Sequence, residues 1–133
     1  MEILFTKPSA SEYINLRKSS GMGGEKSLNR TEIALKNSLF IVSIYDNNKL
    51  IGFGRIVGDG AITYVVSDIM VDKSYQGKGL GKIIMAEIDK YFEENCNEEA
   101  YISLIANKPA DKLYFKFKFD YLKDFEVAMK RKK

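Results

Sequence analysis

The chain has no histidine and a single cysteine, Cys96, in its 133 residues. A Cys–His nucleophile and a His-containing zinc site are thereby excluded, and Cys96 lacks a partner for an internal disulfide. An excess of either charge sign is slight as well. The net charge is +3, and much of that excess lies in the terminal Lys130-Arg-Lys-Lys133. Such a run reads as a solvated tail, so no nucleic-acid partner is expected. No apolar stretch approaches the roughly 18 residues of a membrane span, and no basic-then-apolar leader is seen. The expectation is a cytoplasmic protein without a membrane partner. Linkers, low-complexity segments and internal repeats are missing too. A content of 45% hydrophobic and 29% charged residues suits one domain over residues 1–133.

What is present concentrates in Ser67–Lys82. An apolar strand and a turn lead into Gln76-Gly-Lys-Gly-Leu-Gly-Lys82, which opens directly into an amphipathic helix. That layout places backbone N–H groups of Gln76, Gly77, Lys78, Gly79, Leu80 and Gly81 at a positive helix N-terminus, suited to an anionic diphosphate. Gly77, Gly79 and Gly81 remove the Cβ atoms that would hinder a ligand, and Lys78 and Lys82 add charge. Two familiar phosphate loops fail on spacing. A P-loop needs Ser or Thr after Gly81-Lys82, and a dinucleotide fingerprint needs Gly-x-Gly-x-x-Gly, not Gly77-x-Gly79-x-Gly81. A plain tight turn rarely needs three alternating glycines.

Hydrophobic patterning gives the surrounding elements. Glu2 to Thr6 reads as a short strand, followed by a helix capped by Ser9 or Ser11 and running to about Lys18, with Tyr13, Ile14 and Leu16 inward. Ser19 to Leu28 reads as a loop, and Asn29 or Thr31 as the cap of a second helix carrying Ile33, Ala34 and Leu35. Phe40–Tyr45 and Leu50–Val57 form a hairpin about Asp46-Asn-Asn, and Ala61–Val71 a long strand after the Asp59-Gly60 turn. The helix from about Gly79 to Asn95 buries Leu80, Ile83, Ile84, Ile88, Tyr91 and Phe92. Tyr101–Ala106 is a fifth strand, Pro109–Phe117 a short helix and Phe125–Met129 a last strand, with a further short strand near Phe119–Leu122. Strands joined through the long helix should be parallel and the hairpins antiparallel, an α/β fold.

Gln76, Gly79 and Gly81 satisfy the pattern Gln/Arg-x-x-Gly-x-Gly/Ala, and Asn107, Ala110 and Tyr114 match Asn-x-x-Ala-x-x-x-Tyr. On these motifs, and on the order of elements over nearly the whole chain, the sequence resembles the GNAT superfamily of acyl-CoA-dependent N-acyltransferases. The resemblance implies a mixed, mostly antiparallel sheet flanked by helices, with a split between the fourth and fifth strands. It implies acetyl-CoA as cosubstrate and no metal. The pantetheine arm would pair with the backbone of Ile69, Met70 and Val71 as an added strand does, and the diphosphate would lie on Gln76–Lys82. Asn107 would reach the pantetheine amides or cap the turn before Pro109. Tyr114 would protonate the departing thiolate, or else serve as a core residue. Relatives usually carry Gly where this chain has Lys118 before Phe119. That departure leaves the local turn open and makes Lys118 a further candidate for the CoA phosphates.

Asp68 is the only ionisable group in Val65–Val71. Desolvation by that strand should raise its pKa toward a useful range for a base, and several amine-acetylating relatives also place an acidic residue there. Orienting a cation, or bonding backbone donors, are the alternatives for Asp68. Glu25, Glu32 or an ordered water are the other routes for the proton. The function implied is transfer of an acetyl group to the primary amine of a small molecule by direct attack in a ternary complex. A polyamine, an amino sugar and an amino acid all remain open as acceptors, as does a homodimer. The alternative is a non-catalytic acyl-CoA sensor or regulatory module.

Overall fold

In the computed structural model, which describes Met1–Lys133, five strands form one sheet in sequence order. They are β1 (Glu2–Leu4), β2 (Phe40–Asp46), β3 (Lys49–Gly58), β4 (Thr63–Val71) and β5 (Tyr101–Ser103). Neighbours are antiparallel except β4 and β5, which are parallel across the helix α3 (Leu80–Asn95). Asn47 and Asn48 both take left-handed backbone (φ 48° and 65°), the conformation a two-residue hairpin between β2 and β3 requires.

Helices cover both faces. On one side α3 buries Leu80, Ile84, Met85, Ile88 and Phe92 against Val42, Ile44, Ile51, Ile56, Tyr64 and Val66. Ile83, expected inside, is 38% exposed, and Met85 takes up core space instead. Close approach of α3 depends on Gly54: a Cβ there would stand 2.6 Å from Ile84 Cγ2 and 2.8 Å from Ile69 Cδ1. On the other side α1 (Ala10–Ser20) and α2 (Leu28–Lys36) pack Tyr13, Leu16 and Leu35 onto Ile41, Leu50, Phe53 and Met70. Full burial of each such side chain is worth about 1.5–3 kcal/mol.

Helix ends follow capping chemistry more closely than periodicity. Ser9 caps α1 through a reciprocal box with Glu12, and the helix continues past Lys18 until Gly21 stops it in left-handed backbone (φ 85°). The cap of α2 is Ser27, ahead of the expected Asn29 or Thr31, because its side chain accepts from the Arg30 N–H. Thr31 lies inside the helix, its buried hydroxyl without a hydrogen-bond partner.

The C-terminal expectations need correction. Phe125–Met129 and Phe119–Leu122 form no strands, and only turns and irregular chain follow α4 (Asp111–Phe115). Alternation of Phe125, Val127 and Met129 suggested a strand. All three are at least 75% exposed, and β5, three residues long instead of the expected Tyr101–Ala106, offers little edge to pair with. No helix is long and apolar enough to cross a membrane.

Candidate active site

Pairing between β4 and β5 ends at Val65 and Ser103, so the second half of β4 has a strand neighbour on the β3 side only. A cleft of about 270 Å³ opens beside that free edge. Ile69 and Val71 of β4, the loop residues Gln76, Gly77 and Gly79, the first turn of α3, and Ala110 and Tyr114 line it. Sequence reasoning thus named most of the wall. It missed Tyr75 and Leu113, which also line the cleft and whose only signal was proximity to named residues.

A bulge lies within the same half of β4, on its β3 side. Register slips between Phe53–Met70 and Arg55–Ser67, leaving Asp68 and Ile69 opposite Gly54 alone. Asp68 absorbs the extra residue with φ 56°, in the left-handed region that side chains rarely adopt. Met70, 1% exposed, packs into the core and does not line the cleft, whereas Ile69 and Val71 on either side of it do.

The glycines differ in what they do. Gly77 (φ 79°) and Gly79 (φ 84°) have left-handed backbone, and a Cβ on either would point into open space. Gly81 instead admits α4, since a Cβ there would meet Leu113 Cδ2 at 3.2 Å. Gly79 caps α3 without a side-chain hydrogen bond, so the N–H groups of the first turn stay unengaged. The Gln76 N–H is engaged with the Lys73 carbonyl at 3.4 Å. Its side chain ties the loop inward, donating to Val71 O (2.8 Å) and Ser20 O (3.3 Å).

Other candidates fall at the margin. Lys78 reaches over the Tyr75 ring, 5.4 Å from its centre. Lys82 and Asn107 lie outside the cleft lining, and the Asn107 carbonyl closes its turn by accepting from Ala110 N–H at 2.8 Å. Lys118 keeps the left-handed turn usually given to glycine (φ 71°), but its ammonium pairs with Glu93.

Asp68 departs most from expectation. Tyr13 Oη donates to it at 2.6 Å, Arg55 Nε at 2.8 Å and Arg17 Nη1 at 3.4 Å. Burial pushes the carboxyl up, but the Tyr13 hydroxyl and the two guanidinium groups outweigh it and hold the pKa below the usual carboxylate range. The expected upward shift is therefore reversed. Tyr13 responds in the opposite sense: burial and the hydrogen bond to Asp68 push its phenol to about 12. Sequence reasoning named none of these as partners of Asp68: Arg55 carried a signal as the one charge within Leu50–Val57, whereas Tyr13 and Arg17 read as ordinary helix residues.

Tyr114 projects from α4 with its ring edge-on to Phe119 at 6.5 Å. Its hydroxyl makes no hydrogen bond within the protein, and burial raises its pKa, so the phenol stays protonated near neutrality. No group of three or more potential metal-ligating side chains converges anywhere in the chain.

Known proteins resemble this chain in sequence and in fold. The model of the acetyltransferase (GNAT) family matches residues 11–119. An uncharacterized N-acetyltransferase, ycf52, of Porphyra purpurea is 31% identical over 104 residues, covering 75% of this chain. The chain spans only 58% of that curated relative's length. Among solved structures, a protein of unknown function from meticillin-resistant Staphylococcus aureus, described as a probable acetyltransferase, is 41% identical. It superposes with a TM-score of 0.93, over 99% of this chain and 98% of its own. AAC(6')-Iy, in complex with a bisubstrate analog of CoA and acetylneamine, has a TM-score of 0.69. That likeness covers 100% and 99% of the two chains and, at 15% identity, is one of fold alone.

Proposed function

The chain belongs to the GNAT acetyltransferase family, and on that premise we propose that it transfers an acetyl group from acetyl-CoA to the primary amine of a small molecule within a ternary complex. The observation that carries this reading is the cleft. An unpaired strand edge, uncapped N–H groups at a helix N-terminus and a free phenol line one space.

Acetyl-CoA supplies the acyl group as a thioester. The β4 edge at Ile69–Val71 offers backbone partners to the pantetheine amides, and the N–H groups of Gly77–Lys82 receive the diphosphate. A backbone N–H from the Met70 region, beside the bulge, polarises the thioester oxygen. The amine nitrogen bonds to the acyl carbon, the carbon–sulfur bond breaks, Tyr114 gives its proton to the leaving sulfur, and the proton shed by the new amide nitrogen restores the Tyr114 phenol. Asp68 has its oxygens occupied by Tyr13, Arg55 and Arg17, and it serves as a positioning residue for the bulge. The proton of the acceptor ammonium leaves through ordered water.

Acetyl-CoA titration by calorimetry, combined with detection of free thiol over an amine panel, tests the reading. Gly79→Val should weaken acetyl-CoA binding by at least about tenfold, because its side chain would project into the space for the diphosphate. The variant's thermal melt establishes that it is folded. Undiminished affinity in the folded variant removes the loop from the site, and no thiol release with any amine favours the sensor alternative.

A further inference from the structure

A second hollow, of about 420 Å³, lies under the connection between α1 and α2. Arg17, Lys18 and Lys26 line it with Glu25 as the only carboxylate, so its walls carry an excess of positive charge. Arg17 joins this hollow to the transfer site. Its Nη1 reaches Asp68, the residue before Ile69 of the cleft, and its Nε is held by the carbonyls of Gly23 (3.1 Å) and Gly24 (3.0 Å). Nη2 is left without a protein partner. Lys26 forms no ion pair, and its Nζ converges on the same spot. A Cβ placed on Gly24 would stand 3.7 Å from Arg17 Nη2 and 3.7 Å from Lys26 Nζ. Two cationic donors thus aim at one point above bare backbone, where an oxyanion could accept from both.

We infer that this hollow holds an anionic group of the acceptor, between Arg17 Nη2 and Lys26 Nζ, so that the acceptor is a small amine bearing a carboxylate or a phosphate and not a polyamine. The inference rests on the acetyltransfer reading for the identity of the ligand as acceptor. Asp68 fixes one side of the Arg17 guanidinium, so its free nitrogen is oriented before any ligand arrives, which limits the ordering cost of binding. A polyamine would bring positive charge into a hollow already of that sign.

Matched probes test this on the full chain, alone and saturated with CoA. β-Alanine and β-alaninamide differ only in charge, phosphoethanolamine and ethanolamine differ by the phosphate, and diaminopropane carries two cations. In calorimetry, at least one anionic probe should bind about ten- to a hundredfold tighter than its neutral counterpart. The arm that gains identifies carboxylate or phosphate. Lys26→Gln should remove at least about tenfold of that preference and leave the neutral probes unchanged, while Lys26→Arg should restore it. Lys26 is exposed, so the substitution spares the fold. Equal affinity for charged and neutral probes, or an unaltered preference in Lys26→Gln, overturns the inference. Absence of acetyl-CoA binding and of thiol release would instead overturn the acetyltransfer reading, and the probe titrations would still judge the anion site.

Discussion

Tyr114 shows how a single side chain can be tested apart from its packing. Tyr114→Phe keeps the ring against Phe119 and deletes only the unpartnered hydroxyl. Where thiolate departure limits the rate, turnover should fall about 10²–10⁴-fold while the Michaelis constants and acetyl-CoA affinity change little. The loss should shrink for acyl donors with a less basic leaving thiol, which need less protonation. Steady-state rates across such donors check this, and a loss equal for all donors would make Tyr114 a packing residue. Tyr114 was legible because its pattern with Asn107 and Ala110 is local. Asp68 was only half legible. Its isolation in an apolar strand was visible, but Tyr13, 55 residues away, and Arg17, 51 residues away, meet it only after folding. Those partners reverse the direction that burial alone would give.

Among the elements, β3 and β4 decide whether the cleft exists. The bulge sets Asp68 and Ile69 opposite Gly54, and Gly54 lets Ile84 of α3 and Ile69 press close to the strand. Gly54→Ala would place a methyl group inside both contacts. It should cost about 1–3 kcal/mol by overpacking and, by displacing Ile69, weaken acetyl-CoA binding. Urea melts and calorimetry on one variant read the two effects, and a loss of stability with unchanged affinity would separate the bulge from the cleft. Most elements were legible for definite reasons. The α3 stripe, the Asp46-Asn-Asn hairpin and the strand-to-loop junction at Val71–Gly77 each carry a local pattern. The bulge was not legible, because a register slip depends on two strands at once. The Phe125–Met129 alternation misled for the same reason, since alternation describes a chain able to pair but not an available neighbour.

At the scale of the whole molecule, Asp68 ties three elements together, with Tyr13 and Arg17 from α1 and Arg55 from β3 meeting it on β4. Arg55 extends the tie past α2 to the Ser38 hydroxyl at 3.3 Å, which in turn donates to Ala34 O within that helix at 2.9 Å. Because the folded pKa of Asp68 lies below its ordinary value, its ionised form stabilises the fold. That contribution is fully present above the unfolded value of about 3.9 and is lost as pH falls through the folded value. Asp68→Asn leaves two mostly buried guanidinium groups without their counter-charge, and near neutrality it should cost about 3 kcal/mol. The deficit should narrow toward acid, where the wild-type carboxyl protonates and loses the same advantage. Urea melts from about pH 7 down to pH 3 measure the gap between the two proteins. A gap that stays constant would mean that the network does not respond to ionisation of Asp68. A variant of full stability whose turnover falls most at pH values where the wild-type carboxylate is ionised would return Asp68 to the role of base. The narrowing gap is the outcome that follows from a carboxylate surrounded by a phenol and two arginines.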